Sequence, residues 1–275
     1  MIVLAAVGVA TAAAAGTKSS VVVPGFGFES TRTDCPKGTA LAAQGFGTKD
    51  FGIDPPASTV VRIDSHRSGS GLASSATNFG LDAGTFDAYA YCSKAARKIK
   101  VVRDKQFVTI GTFGAAKATC PQGSVPVGGG FGAPGFAAGP VRVIALTSRR
   151  QGRAWRVEAL AEGDDTARTA RGGVMSGTLV AYAYCMKDVP KITIRRRSVA
   201  VDQSGLEAAV ATCPKRRVAV GGGFDGNIQT SGELLASGTI VSRRAKRGRA
   251  WKIRAIGLGE AAGAKATAYA YCMKR

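Results

Sequence analysis

The sequence predicts an all-β protein in which three pseudo-symmetric, disulfide-stapled repeats close on a single core, with three tandem small β-sandwich units as the alternative. Three observations predict it. The pentapeptide Ala88-Tyr89-Ala90-Tyr91-Cys92 returns as Ala181-Tyr182-Ala183-Tyr184-Cys185 and as Ala268-Tyr269-Ala270-Tyr271-Cys272, each copy preceded by a Cys-Pro pair, Cys35-Pro36, Cys120-Pro121 or Cys213-Pro214. Self-similarity at this scale marks repeated supersecondary units. Between these landmarks lie β-branched runs, glycine runs and turn residues, with little helical periodicity. No Pro/Ser-rich tract separates the copies, which favours one closed domain over separate beads.

The chain divides into an expected signal peptide, residues 1–15, and repeats at 19–94, 95–187 and 188–275. Met1 to Ala15 is apolar, ends in Ala13-Ala14-Ala15 and is followed by Gly16-Thr17-Lys18, the pattern of a small-residue cleavage site. It is shorter than the roughly 20 residues that a membrane span needs, so no transmembrane segment is expected after its removal. Val21-Val22-Val23 then reads as a short strand entering a turn at Pro24-Gly25.

Each repeat opens on its Cys-Pro pair, where Pro suits the second position of a β-turn and Gly38 or Gly123 the fourth. The third copy has Arg216 there, so the glycine is dispensable. Next comes a glycine run ending in Phe: Gly128-Gly129-Gly130-Phe131, Gly221-Gly222-Gly223-Phe224, and only Gln44-Gly45-Phe46 in the first copy. Consecutive glycines in a strand mark a bulge or a close approach by other groups, and the pentapeptide tyrosines or the repeat's Trp are the expected cover. Ser148 to Val157 and Ser242 to Ile253 each read as a strand, a basic hairpin tip and a second strand beginning at Trp155 or Trp251. The first repeat has Ser65-His66-Arg67-Ser68-Gly69 there, without Trp, and is the degenerate copy. The pentapeptide reads as a strand with tyrosines on one side and alanines and cysteine on the other, tightly packed side.

An exported chain meets an oxidising environment, where six cysteines at repeated positions form disulfides. Two sets respect the repeats. Cys35–Cys92, Cys120–Cys185 and Cys213–Cys272 would make each repeat a self-sufficient stapled unit, and this set is preferred. The rival joins Cys92–Cys120, Cys185–Cys213 and Cys35–Cys272, with the same separation of 28 residues within each of its first two pairs. The absence of a C-x₂-C pair and the presence of a single histidine, His66, argue against zinc.

The formal net charge is +20, far above the magnitude of about 2–8 that serves solubility. Its clusters are the candidate polyanion-binding residues: Arg149, Arg150, Arg153 and Arg156 in one hairpin, Arg243, Arg244, Lys246, Arg247 and Arg249, with Lys252 beside them, in its counterpart, and Arg195-Arg196-Arg197 between repeats. Such clusters attract polyanions at long range. The expected partner is an anionic polysaccharide or wall polymer, with non-specific nucleic acid a second partner that the charge admits and base-specific readout the least favoured, since no helix-turn-helix, finger or RNP motif appears. Trp155 and Trp251 are expected in the core rather than as stacking platforms.

Catalysis is disfavoured by elimination. G-x-S-x-G and H-E-x-x-H are absent, and His66 would have to serve any Ser-His-Asp arrangement. Gly130 to Gly135 spells G-x-G-x-x-G, but no helix follows, so no nucleotide cofactor is expected. Glu158, Glu162, Asp164 and Asp165 cluster as glycosidase carboxylates would, but Asp164-Asp165 reads better as a surface turn balanced by Arg168 and Arg171. The reading is a secreted, non-catalytic protein that binds anionic extracellular polymers or surfaces. A lectin-like binder of neutral glycans, then a carboxylate hydrolase, are the alternatives, and the oligomeric state stays open.

The Cys-Pro turn, the glycine run ending in Phe, the Trp-starting strand and A-Y-A-Y-C together resemble a repeat module of uncharacterised secreted bacterial proteins, from roughly Cys35 to the end. More loosely, the Cys-to-Cys repeat and Asp164-Asp165-Thr166-Ala167 are similar to vitelline membrane outer layer proteins. That second resemblance implies a β-prism, three sheets about a pseudo-threefold axis, and carries no function with it.

Overall fold

The computed structural model describes residues 15–49, 51, 58–134, 141–163, 175–202, 205–226, 236–258 and 264–274. The bulk of the expected leader, the Asp164-Asp165-Thr166-Ala167 segment with Arg168 and Arg171, and the end of the G-x-G-x-x-G stretch lie outside the described residues. Among the described residues are eighteen strands, six from each repeat. The first repeat supplies β1 (Ala15–Val23), β2 (Phe28–Thr33), β3 (Ala40–Lys49), β4 (Val60–Ser68), β5 (Gly71–Asn78) and β6 (Gly84–Ser93). The second supplies β7 (Lys100–Thr109), β8 (Phe113–Thr119), β9 (Ser124–Gly132), β10 (Val141–Gln151), β11 (Ala154–Gly163) and β12 (Ser176–Lys187). The third supplies β13 (Thr193–Val201), β14 (Leu206–Thr212), β15 (Arg217–Asp225), β16 (Ala236–Ala245), β17 (Ala250–Leu258) and β18 (Ala264–Lys274).

These strands make three six-stranded antiparallel sheets, and no sheet belongs to one repeat. Sheet I runs β1-β6-β3-β16-β17-β14, sheet II β13-β18-β15-β10-β11-β8, and sheet III β2-β5-β4-β9-β12-β7. Each takes the first, sixth and third strands of one repeat and the fourth, fifth and second of another. Sheet I therefore joins repeats one and three, sheet II three and two, and sheet III two and one, a closed pseudo-threefold arrangement of the β-prism kind. The cysteines pair within repeats, Cys35–Cys92, Cys120–Cys185 and Cys213–Cys272, each loop contributing about 4 kcal/mol in the chain-entropy model. The repeats are nevertheless not self-sufficient, because every one lends half its strands to a neighbour's sheet.

The two halves of a sheet meet in a short seam. Only Val241↔Gly47 and Ser242↔Phe46 pair in sheet I, Thr147↔Asp225 and Ser148↔Phe224 in sheet II, and Ser65↔Phe131 in sheet III. A side-chain clamp reinforces this thin ladder. The backbone N–H of Arg244, Arg67 and Arg150 donates to the hydroxyl of Tyr91 (2.8 Å), Tyr184 (2.6 Å) and Tyr271 (2.7 Å), the second tyrosine of each pentapeptide. To reach that far, the strand between must lack a side chain: a Cβ on Gly45, Gly130 or Gly223 would lie 2.7, 2.3 or 2.5 Å from the facing carbonyl oxygen of Ser242, Ser65 or Ser148. This is the close approach that the glycine runs foretell.

The middle glycine serves the core. The indoles of Trp155 and Trp251, both almost fully buried, lie on Gly129 and Gly222, donate to Ser148 Oγ (2.9 Å) and Ser242 Oγ (2.8 Å), and meet Tyr271 and Tyr91 edge-on. In the first repeat Leu72 stands where the Trp would be and Gln44 where the glycine would be. The Gln44 amide takes the indole's place, donating to Ser65 O (2.6 Å) and accepting from the Tyr184 hydroxyl (3.1 Å). The missing Trp and the broken glycine run are thus one compensated change, and the cost is a buried Ser65 Oγ without a hydrogen-bond partner.

Phe46, Phe131 and Phe224, the residues that end the three glycine runs, converge with ring centroids 5.9 and 6.3 Å apart for the two pairs that include Phe224. The Arg62 guanidinium lies over them, its Cζ 3.4, 3.8 and 5.1 Å from the Phe46, Phe131 and Phe224 centroids. Burial pushes this guanidinium well below its usual basicity, with Asp64 opposing, and the ring faces replace part of the lost hydration. The Cys-Pro turns differ from expectation by one position. Thr39, Ser124 and Arg217 donate back to the carbonyl of Pro36, Pro121 and Pro214, so Pro opens the turn and Gly38, Gly123 and Arg216 occupy the left-handed third position at φ 80°, 75° and 61°. Arg216 accepts a conformation that costs a non-glycine residue about 1 kcal/mol.

A Cβ on Gly222 would sit 2.0 Å from the Trp251 ring. Gly222→Ala is expected to cost about 3 kcal/mol and to lower the thermal midpoint by several degrees. The alanine control at the exposed residue Lys37 should unfold as the parent does, both read by calorimetry on the oxidised chain.

Candidate functional site

The period of two that buries Ala88, Ala90 and Cys92 turns Tyr89 and Tyr91 to the opposite face of sheet I. Tyr91 is spent on the seam, while Tyr89 stays half-exposed. Register sets its neighbours. Lys18 on the edge strand β1 faces Tyr89, and across the seam Arg243 faces Lys252 while Val241 faces Arg254. The result is an open groove of roughly 690 Å³ crossing the sheet, lined by five cations, Lys18, Lys49, Arg243, Lys252 and Arg254, and by one carboxylate, Asp87. A Cβ on Gly47 in its floor would make only ordinary contacts with Val241 and Tyr89, at 3.6–3.9 Å.

Asp87 organises the near end. It accepts from Ser20 Oγ (2.7 Å), Lys18 Nζ (3.0 Å) and the Tyr89 hydroxyl (3.1 Å). Burial acts to raise its pKa, but the hydrogen bonds from Ser20 and Lys18 outweigh it and hold the carboxyl below the usual range. The same bond raises Lys18, against a smaller burial effect, and burial, then the nearby Asp87, raises Tyr89. Arg243 leans over the Tyr89 ring at 5.5 Å and reaches its hydroxyl at 3.4 Å.

The cations singled out from sequence separate into three groups. Arg150 and Arg244 are half-buried beside the seam. Arg150 Nε donates to Gly152 O (3.0 Å), as Arg67 Nε does to Gly69 O (2.9 Å), and the Arg244 guanidinium lies 4.4 Å from the Tyr91 centroid. Arg153, Lys246, Arg247 and Arg249 are exposed at the hairpin tips, with Arg153 donating to Cys120 O. Arg149, Arg156, Arg196 and Arg243 lie on sheet faces: Arg149 pairs with Asp225 at 2.8 Å, Arg156 with Glu158, and Arg196 sits opposite Tyr269 on the edge strand β13. Arg195 and Arg197 alternate with Arg196 and take the other face of β13. Of the cations named from sequence, Arg243 and Lys252 line the groove. Sequence reasoning counted Lys252 in the basic cluster of the third repeat's hairpin but missed Lys18, Lys49 and Arg254 as site residues. The alternation Lys252-Ile253-Arg254 after Trp251 puts both cations on one face and was legible. Lys18 was not, because it pairs with a residue 71 positions away.

His66 occupies on β4 the position that Arg149 has on β10 and Arg243 on β16. Its ring stacks on Tyr182 at 4.8 Å, and its Nδ1 is 2.6 Å from Asp64 Oδ1. Burial raises the pKa of Asp64, with His66 and Arg62 opposing. No hydroxyl or thiol is recorded against the other ring nitrogen among the described residues. Nor does any group of three or more His, Cys, Asp or Glu there suit a metal ion.

Asp87→Asn tests this end of the groove. Because the folded carboxyl titrates below its unfolded value of about 3.9, its stabilisation is present above that pH and is lost as pH falls through the lower folded value. The variant should be about 1 kcal/mol less stable at pH 7, and the difference in urea titrations should shrink as pH falls below the unfolded carboxyl value. Equal stability at pH 7 would contradict the assignment.

No protein-family model matches the chain, and no curated protein is similar to it.

Proposed function

We propose that the protein is a secreted, non-catalytic binder of anionic extracellular polymers, and that the groove across sheet I is where it holds them. One observation carries the reading: five cationic side chains and a single, internally satisfied carboxylate share one open groove on one sheet face. A groove of that kind follows a charged chain and attracts it through release of its counterions. The three disulfides suit an oxidising compartment, and among the described residues no helix is long and apolar enough to cross a membrane. Both agree with export guided by the Met1 to Ala15 leader.

The competing readings have less support. A neutral-glycan site wants open aromatic faces, whereas Trp155 and Trp251 are buried and Tyr89, Tyr182 and Tyr269 lie beneath Arg243, His66 and Arg149. A carboxylate hydrolase wants two free acids, and Glu158 is tied to Arg156. Acidic polysaccharide and wall polymer fit the groove better than nucleic acid, since among the described residues its aromatics are Phe51 and Tyr89, the latter under Arg243, short of the successive stacking platforms that a strand of bases uses.

The test is a salt series with heparin as the model polyanion. The parent should bind with a log–log salt slope of about −3 to −4, as contact with most of five cations requires. Arg243→Ser with Arg254→Ser should lower the slope by about two and weaken binding at least tenfold. Arg247→Ser with Arg249→Ser at the hairpin tip should change it less than threefold. Groove variants that bind like the parent would overturn the proposal.

A further inference from the structure

The groove has counterparts. The first tyrosine of each pentapeptide, Tyr89, Tyr269 and Tyr182, has a cation opposite it on the edge strand, Lys18, Arg196 and Arg103 respectively. The residue after the seam serine, Arg243, Arg149 or His66, flanks it on the other side, with its ring or guanidinium 5.5, 5.7 or 4.8 Å from the tyrosine centroid. Beyond that residue lies Lys252 in sheet I, Arg156 in sheet II and Ala73 in sheet III. Three cations thus lie in a row on sheet I and three on sheet II. Sheet III has Arg103 and a histidine.

Each row also has one carboxylate beside its tyrosine, and each comes from a different strand: Asp87 from β6, Asp225 from β15 and Asp64 from β4. Asp225 accepts from the Tyr269 hydroxyl at 3.3 Å, as Asp87 does from Tyr89 at 3.1 Å. Simple triplication would have left the acid at one position. Sheets I and II thus set a tyrosine between two cations with an acid on its hydroxyl, whereas in sheet III Asp64 holds His66 instead. That device also spans the seam, so a purely structural role is the reading to be beaten.

Resting on the reading of sheet I as a polyanion site, we infer that sheet II carries a second one, built on Arg196, Arg149 and Arg156 around Tyr269, and that the protein bridges two segments of acidic polymer. The faces are related by the pseudo-threefold rotation and point in different directions, so a short oligomer on one does not reach the other. Sheet II is the weaker face because Asp225 and Glu158 engage two of its three cations. Sheet III keeps Arg103 on its edge strand but has His66 and Ala73 where its counterparts have cations. Replacing His66 with Arg restores the cation its counterparts have.

The experiment is titration calorimetry of the oxidised full chain with a heparin hexasaccharide at low salt, alongside light scattering with full-length heparin. The parent should take up two hexasaccharides with unequal affinity and cross-link long heparin into scattering particles. Arg149→Ser with Arg196→Ser, and Arg196→Ser alone at its exposed edge position, should remove the weaker event and the scattering while leaving the melting curve and the tighter event in place. Arg243→Ser with Arg254→Ser should remove the tighter event and spare the weaker. A stoichiometry of one that only the sheet I variant abolishes would overturn bridging and leave the sheet I reading intact. Binding that no face variant alters would overturn both. Sheet II variants that lose thermal stability and leave the stoichiometry at two would assign the tyrosine rows to the seam alone.

Discussion

A tyrosine hydroxyl accepting a backbone N–H across a bare strand holds this molecule closed. Tyr91, Tyr184 and Tyr271 each reach over a glycine of their own repeat to the fourth strand of another, at Arg244, Arg67 and Arg150. The pairing ladder there is one or two residues long, too little to hold two half-sheets together, so the hydroxyls supply what the ladder lacks. Other features follow from this reach. The flanking glycine must lack a side chain, the indole or the Gln44 amide must pack against the ring, and the arginine whose N–H is used has its side chain folded back onto the hairpin tip.

The same constraint explains why the charge of +20 is not one patch. Half-buried arginines beside the seam stabilise the fold, those at the tips are solvated, and those on the sheet faces divide between two sheets, with Arg243 lining the groove. A charge run in sequence is therefore a poor guide to a charged surface in a β protein, where alternation sends neighbouring residues to opposite faces. Arg195-Arg196-Arg197 looks like one cluster and divides into two.

Much of the architecture was legible. The threefold recurrence of A-Y-A-Y-C, the Cys-Pro pairs and the lack of linkers point to a closed all-β domain with within-repeat disulfides, and the burial of both tryptophans followed from their place at strand starts. Exchange of half-sheets between repeats was not legible, because every copy has the same strands and nothing local says which copy's fourth strand meets which third. The groove was hidden for the same reason, since it assembles Lys18, Asp87 and Arg254 from distant segments. Gln44 and Leu72 each look like decay of the first repeat when read alone. Only side by side do they compensate.

The central claim is that the repeats are held as one unit by hydroxyls across shared sheets, and calorimetry of the oxidised chain with Tyr271→Phe tests it most directly. The account predicts a single cooperative transition for the parent and a single, lower one for the variant, because loosening one seam weakens the whole ring. Separate transitions in the parent, or a variant in which one part melts early while the rest is unmoved, would contradict it.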